Sequence, residues 1–281
     1  MAVLITSPPP PLAPPGEFFY HDLLTLPDFN LGVLSEEELR KLTTLELDAL
    51  SYLDKEDFET PKLMVMHMFR SLGLTTAFPN FDERRLWRYS FPFSFALLVF
   101  RILICHFRFV STISCRYRKV PFHNFFHAFN VTQTLYFFLT TCNAKHLLGP
   151  LEMFSLLIAT LCHDADHPGL NNTFHSKAQT RISNMHKKST LENHHLLNGY
   201  AVLSREECNV IKEFKVEERD LFSRYLRDLV LATDLALHGI ILRNMDERRK
   251  QLSKQYNKGK PQLSDEAPLL CLVFPLVEFH C

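Results

Sequence analysis

From Phe125 to Leu139 the apolar residues Phe125, Phe129, Tyr136 and Leu139, with Thr132 between them, recur at the spacing of one helix face. The stretch FSRYLRDLVLATDLALHGIILRNM repeats that period through Leu226, Val230, Leu237 and Ile241, which predicts one long helix. An apolar run from Leu151 to Cys162 predicts another, stopped by Pro168 and Gly169. Boundary signals are frequent. Ser35 and Glu38 stand in capping-box register ahead of one helix, and TPKLMVMHMFRSLG has Thr60 as N-cap, Pro61 in the first turn and Gly73 past the end. No segment alternates as a strand would, and the chain has only eight glycines. The fold class read from the pattern is all-α.

Residues 90–115, SFPFSFALLVFRILICHFRFVSTISC, are apolar and rich in phenylalanine but contain Arg101, His106 and Arg108. Three readings fit: a membrane span centred on residues 91–110, a buried helix, and an insertion foreign to the rest of the domain. A span needs about 20 mostly apolar residues, and here Arg101 sits near the middle and positive residues flank both ends, so the buried helix is favoured.

Composition narrows the function classes. The chain has 281 residues, 46% of them apolar, enough for a sizeable core. Its 31 basic and 31 acidic residues cancel, so no global field favours nucleic acid or an anionic membrane, and an anionic substrate must be met locally. Seven cysteines without a C-x-x-C pair fit a reducing compartment, and the expected location is the cytosol. Residues 1–16, MAVLITSPPPPLAPPG, lack a basic start and are broken by proline, which makes them a poor secretory signal and an expected disordered lead-in to a domain over residues 17–281. Oligomeric state is not legible.

The chemistry lies in polar residues placed on apolar helices. His123 and His127 are four apart, and Asn130 and Thr134 continue the same face. The segment TLCHDADHPGLNN delivers His163, Asp164, Asp166 and His167 at the end of the 151–162 helix. An exposed helix end would account for the histidines, which favour the negative end of the dipole, but not for the carboxylates. A divalent metal accounts for both: His127, His163 and Asp164 can bind it, with Asp166 and His167 available to orient them. Downstream, LENHH carries Glu192, His194 and His195, although Ser189 and Glu192 also stand in capping-box spacing, so a helix start fits Glu192 equally well. Asp234, amid Leu231, Leu235 and Leu237, is costly to bury unless paired.

Taken in order, FHNFFHA, HDADHPGLNN, LENHH and ATDLALH resemble the class I cyclic-nucleotide phosphodiesterases. The family's H-D-x-x-H-x-x-x-x-N signature falls here on His163, Asp164, His167 and Asn172. The resemblance implies a multi-helix catalytic domain of the HD type that hydrolyses a 3′,5′-cyclic nucleotide, cAMP or cGMP, to its 5′-monophosphate in signal transduction. It implies zinc at one site, bound by His127, His163 and Asp164, and magnesium or manganese at a second, with Asp164 bridging the two. It makes His123 the general acid, and places His167, Glu192, Asn193, Thr233 and Asp234 around the metals and their waters.

The family pattern continues with a fourth metal-binding aspartate in a K-x-A-D-I-S-N-P-like segment, and then with the glutamine and aromatic clamp that grip the purine. Here APLLCLVF is followed by PLVEFHC, so the domain is expected to lack its C-terminal helices, and Glu278 is a weak candidate for the fourth ligand. Phe122 and Ala165 stand where many members carry tyrosine and a larger apolar residue. Two alternatives stay open: an inactive or regulatory fragment, which would turn over cyclic nucleotides poorly next to an extended chain, and another HD-type phosphohydrolase.

Overall fold

A computed structural model describes residues 34–75 and 92–257. Eleven α-helices follow one another in these residues: α1 (Glu36–Leu42), α2 (Leu50–Asp54), α3 (Glu59–Ser71), α4 (Pro92–Ser114), α5 (Phe125–Thr140), α6 (Pro150–Cys162), α7 (Asn172–Ala178), α8 (Arg181–Met185), α9 (Thr190–Leu203), α10 (Val216–Leu231) and α11 (His238–Asn257). Short 3-10 turns lie at Ala144–Leu147, Glu206–Cys208 and Leu235–Leu237, and no strand occurs among the described residues. The readings of residues 1–16, of the APLLCLVF segment and of Glu278 concern positions outside the described residues.

Helix α6 is the centre of the fold. Residues Glu152 through Cys162 are all buried, so the helix is covered on every side, by α5, α9, α10 and part of α4. Each fully buried Leu, Ile or Phe contributes roughly 1.5–3 kcal/mol, which makes α6 and its neighbours the main source of stability. The polar Glu152 is accommodated because the Tyr225 hydroxyl of α10 donates to it at 3.2 Å. Helix α5 is fixed from the other side. The buried Gln133 amide donates to the carbonyls of Leu42 and Thr44 at 3.1 and 2.7 Å, satisfying the end of α1.

Several boundaries differ from the sequence reading. The capping box of Ser35 and Glu38 forms as expected. Helix α3, however, starts before Thr60: the Asp57 carboxylate accepts from the backbone N–H groups of Glu59 and Thr60, and Thr60 lies inside the helix. The long helix expected across residues 222–245 is two helices, α10 and α11, parted by Ala232–Leu237. Asp234 makes the break by capping the 3-10 turn, its Oδ1 accepting from Ala236 N–H at 3.0 Å.

Residues 92–114 form one helix, and Phe109, Val110 and Ile113 sit fully inside the core against α3, α9 and the 206–208 turn. No helix among the described residues is long and apolar enough to cross a membrane. His106 on this helix is buried between Phe69 and Phe154, with ring centroids at 5.7 and 6.0 Å. Its Nδ1–H donates to the Ile102 carbonyl, and its Nε2 is buried with no hydrogen-bond partner. Burial therefore drives the imidazole down to about 4, against the pull of that carbonyl.

Because the folded state disfavours the charged form, the unfolded chain binds the extra proton first as pH falls below the ordinary histidine value. Stability is lost between about pH 6.5 and about pH 4, by on the order of 3 kcal/mol from this group. His106→Leu should remove that part of the acid sensitivity, measured as the difference in urea midpoint between about pH 7 and about pH 4. An unchanged pH slope in the variant would show that other groups govern it.

Candidate metal and catalytic site

Two helix ends meet at the site, the start of α5 and the end of α6. Helix α5 begins at Phe125, with Asn124 as its N-cap accepting from the N–H groups of Phe126 and His127, so His127 lies in the first turn and is buried. His123 precedes the cap and stands off the helix proper, contrary to the single polar stripe read from spacing. Helix α6 ends at Cys162, one residue before the cluster. His163 is its C-cap, and Asp164, Ala165, Asp166 and His167 follow in the turn.

The three expected metal-binding atoms converge. His127 Nε2 and His163 Nε2 are 3.3 Å apart, and Asp164 Oδ2 is 3.4 Å from the first and 3.3 Å from the second. Ligands on tetrahedral zinc, about 2.0–2.1 Å from the ion, stand about 3.3–3.4 Å from one another. The triangle therefore matches one face of such a tetrahedron.

Tautomers support the same reading. The Nδ1–H of His163 donates to the Thr160 carbonyl at 2.8 Å, which leaves the Nε2 lone pair pointing at Asp164 and His127. Asp164 Oδ2 is buried and accepts no hydrogen bond. Three potential ligand atoms crowded together in a dry site, one of them a carboxylate oxygen without a hydrogen bond, suit a cation between them.

A second group contains Asp164, His167 and His195, all buried and within reach of one centre. His195 was not singled out as a site residue from the sequence. Its Nδ1–H donates to the Ala165 carbonyl at 2.8 Å, and its Nε2 faces Asp164 Oδ1 at 3.5 Å. His167 lies between two other imidazoles, stacked on His123 at 4.0 Å and near-parallel to His195 at 5.4 Å.

Burial lowers His167 to about 3 and His195 to about 4, although Asp164 pulls both upward. Burial also opposes ionisation of Asp164, yet His163, His127 and His195 around it hold its carboxyl well below the usual carboxylate range. Near neutral pH the second group is thus one carboxylate among neutral imidazoles, the protonation state that metal binding requires.

These groups open into a cavity of about 610 Å³, lined by His123, Asp164, His167, Glu192, His195, Thr233 and Asp234 among others. The capping box expected of Ser189 and Glu192 does not form. Ser189 adopts a left-handed backbone (φ 43°), and its hydroxyl donates to Asp234 Oδ2 at 2.8 Å. That bond and the Ala236 N–H pair the carboxylate that the sequence left alone among leucines.

Glu192 is held instead by Asn172, whose amide donates to both carboxylate oxygens at 3.1 and 3.0 Å while its carbonyl accepts from Leu191 N–H. Burial, only partly offset by Asn172 and reinforced by Asp234 and Asp164, raises Glu192 to about 7. Asn193 takes no part in the cavity lining: its amide donates to the carbonyls of Lys188 and Ser189.

A profile of the 3′,5′-cyclic nucleotide phosphodiesterases matches residues 122–274, more than half of the chain. The chain belongs to that family. Among its relatives, the 3′,5′-cyclic-nucleotide phosphodiesterase regA of Dictyostelium discoideum is 44% identical over 133 residues, which cover 47% of this chain and 17% of the relative. The high affinity cGMP-specific 3′,5′-cyclic phosphodiesterase 9A of Mus musculus is 35% identical over 229 residues, 81% of this chain and 38% of the relative.

The phosphodiesterase domain of a rhodopsin phosphodiesterase from Salpingoeca rosetta superposes with a TM-score of 0.68 at 25% identity, covering 88% of this chain and 68% of that one. The chain spans well under half the length of the curated relatives it matches, between 17% and 38% in these two. The all-helical phosphodiesterase fold is common to the Salpingoeca domain and this chain, and the His and Asp groups give the chain a place where metal can bind.

Proposed function

We propose that this phosphodiesterase-family chain hydrolyses a 3′,5′-cyclic nucleotide, cAMP or cGMP, to the 5′-monophosphate in cytosolic signalling. His127, His163 and Asp164 would hold zinc, and Asp164 would also serve a magnesium or manganese ion. The observation that carries the reading is the triangle of His127, His163 and Asp164 at zinc-ligand spacing, opening on a cavity whose wall carries His123. The cytosolic part rests on the five described cysteines, all free thiols.

The bound ions supply Lewis-acid polarisation of the phosphate and a lower pKa for attacking water. The chain's own residues do the rest. His123 stands on the cavity wall, half-buried and stacked on His167, where it donates a proton to the departing 3′ oxygen. Glu192, poised near neutrality and fixed by Asn172, accepts a proton from water on the same wall. Thr233 and Asp234 complete the wall, Asp234 being held in place by Ser189. His167 and His195 flank Asp164, with His195 Nε2 facing Oδ1 at 3.5 Å.

The test incubates the chain with cAMP or cGMP in the presence of zinc and magnesium and separates the products by chromatography. Formation of the 5′-monophosphate is expected, abolished by a chelator and restored by added ions. Metal binding with no turnover of either cyclic nucleotide, or preferential cleavage of a linear phosphodiester, would overturn the proposal.

A further inference from the structure

We infer that Asp166 is a positioning residue, whose carboxylate joins Arg118 to His194 and so sets the relative placement of the segments that carry the acid, the metal-binding residues and the cavity wall. The inference rests on the proposed phosphodiesterase reading for what those segments do, but its geometry is independent of it. Asp166 Oδ1 accepts from Arg118 Nε at 2.6 Å, and Oδ2 from His194 Nε2 at 2.7 Å. Its backbone N–H donates to the Arg116 carbonyl at 2.9 Å. Arg118 lies five residues before His123, Asp166 lies between Asp164 and His167, and His194 adjoins His195 and follows Glu192 by two. One carboxylate therefore links three otherwise separate stretches of chain, each leading directly to a residue of the cavity.

The neighbouring contacts show that the segment before His123 is seated on the turn as a whole. The Tyr117 hydroxyl donates to the Leu161 carbonyl at 3.0 Å. Val120 packs so closely on Gly169 (φ 80°) that a Cβ there would meet its side chain at 3.3 Å. Asp166 itself holds a left-handed backbone, φ 64°, which short polar residues tolerate best after glycine. That conformation turns its side chain towards Arg118 and His194 while the chain continues into His167.

Both oxygens of the Asp166 carboxylate are taken, one by Arg118 and the other by His194. Asparagine can accept from one partner only, because its NH2 group meets the N–H of the other. The two arms cannot then both be kept.

The test compares the parent chain with Asp166→Asn, Arg118→Gln and His194→Gln. Zinc affinity is measured by competition with a chelating dye, the coordination geometry by the absorption spectrum of the Co²⁺ form, and helix content by circular dichroism. Asp166→Asn is expected to weaken zinc binding by about 10- to 100-fold and to alter the Co²⁺ spectrum while helix content is retained, because outer contacts of this kind tune a metal site to that extent. Combining Arg118→Gln with Asp166→Asn should cost less than the sum of the two single effects, since both act on the same carboxylate bridge.

A residue of merely structural value would lower the melting temperature and leave zinc affinity and the Co²⁺ spectrum as they were. That result, or zinc binding within about twofold of the parent in all three variants, overturns the inference. Should Asp166→Asn fail to fold, the two single-arm variants carry the same comparison. If the parent chain takes up no metal, the functional reading fails by itself. The imidazole NMR signals of His123 and His195, expected to move in each variant, then decide the placement role, and unmoved signals refute it.

Discussion

With Asp164 replaced by asparagine, the protein is expected to keep its helices and lose its metal. Asp164 is the one residue common to both His groups, with Oδ2 facing His127 and His163 and Oδ1 facing His195. The asparagine NH2 group would put hydrogens, each with partial positive charge, where a cation has to sit, and zinc affinity should fall by at least ~100-fold. Folding of the metal-free chain should not suffer in proportion. Asparagine keeps the shape of the side chain and spares the metal-free chain the burial of a charge.

The contrast is measurable by melting each protein with and without zinc. Ligand at 100 times its dissociation constant stabilises by about 2.7 kcal/mol, so zinc should raise the parent's melting temperature clearly and the variant's hardly at all. Equal zinc content in the two proteins by elemental analysis would remove Asp164 from the metal site.

The second large effect is on turnover. His123→Ala should lower kcat by about 10²- to 10⁴-fold with zinc content unchanged, the usual worth of a positioned proton donor. The separation is expected because His123 stands ahead of the Asn124 cap, so its removal leaves the start of α5 and the placement of His127 intact. The space left beside His167, at 4.0 Å between ring centres, has the shape of an imidazole, and added imidazole should restore part of the rate. Loss of zinc with this substitution would instead make His123 a ligand.

How much of this could be read beforehand depends on whether a residue's partner is near it in sequence. His127, His163 and Asp164 stand out in the sequence as polar groups in or just after apolar helices, and those helices follow directly from the 3.6-residue period. Glu192 reads two ways, because its spacing from Ser189 also matches a helix start. What decides its role is Asn172, twenty positions away, and Ser189 is occupied with Asp234, forty-five positions on.

The break between α10 and α11 was hidden for the same reason. The apolar period runs through it unbroken, and only the bonds of Asp234 to Ser189 and Ala236 show why the chain turns there. His195 lies beside His194 in a dipeptide whose two members face different partners, Asp164 and Asp166, and no local pattern tells them apart. The left-handed backbone of Asp166 is likewise invisible in a string of residues that reads as the end of a helix.

The pairing of α5 with α6 also bears on the order in which the molecule is made. His127 and His163 are 36 residues apart and sit on helices that pack directly, whereas the cavity is completed only by Thr233 to Ala236. Contacts of short separation close early, and synthesis delivers the N-terminal part of the chain first. The three candidate metal-binding side chains are therefore all synthesised some 70 residues before Thr233 begins the last part of the described cavity wall. An ion captured at that stage would hold α5 against α6 while α9 and α10 are still being added, so that metal supply during synthesis, and not only during turnover, would govern how much of the protein reaches its folded form.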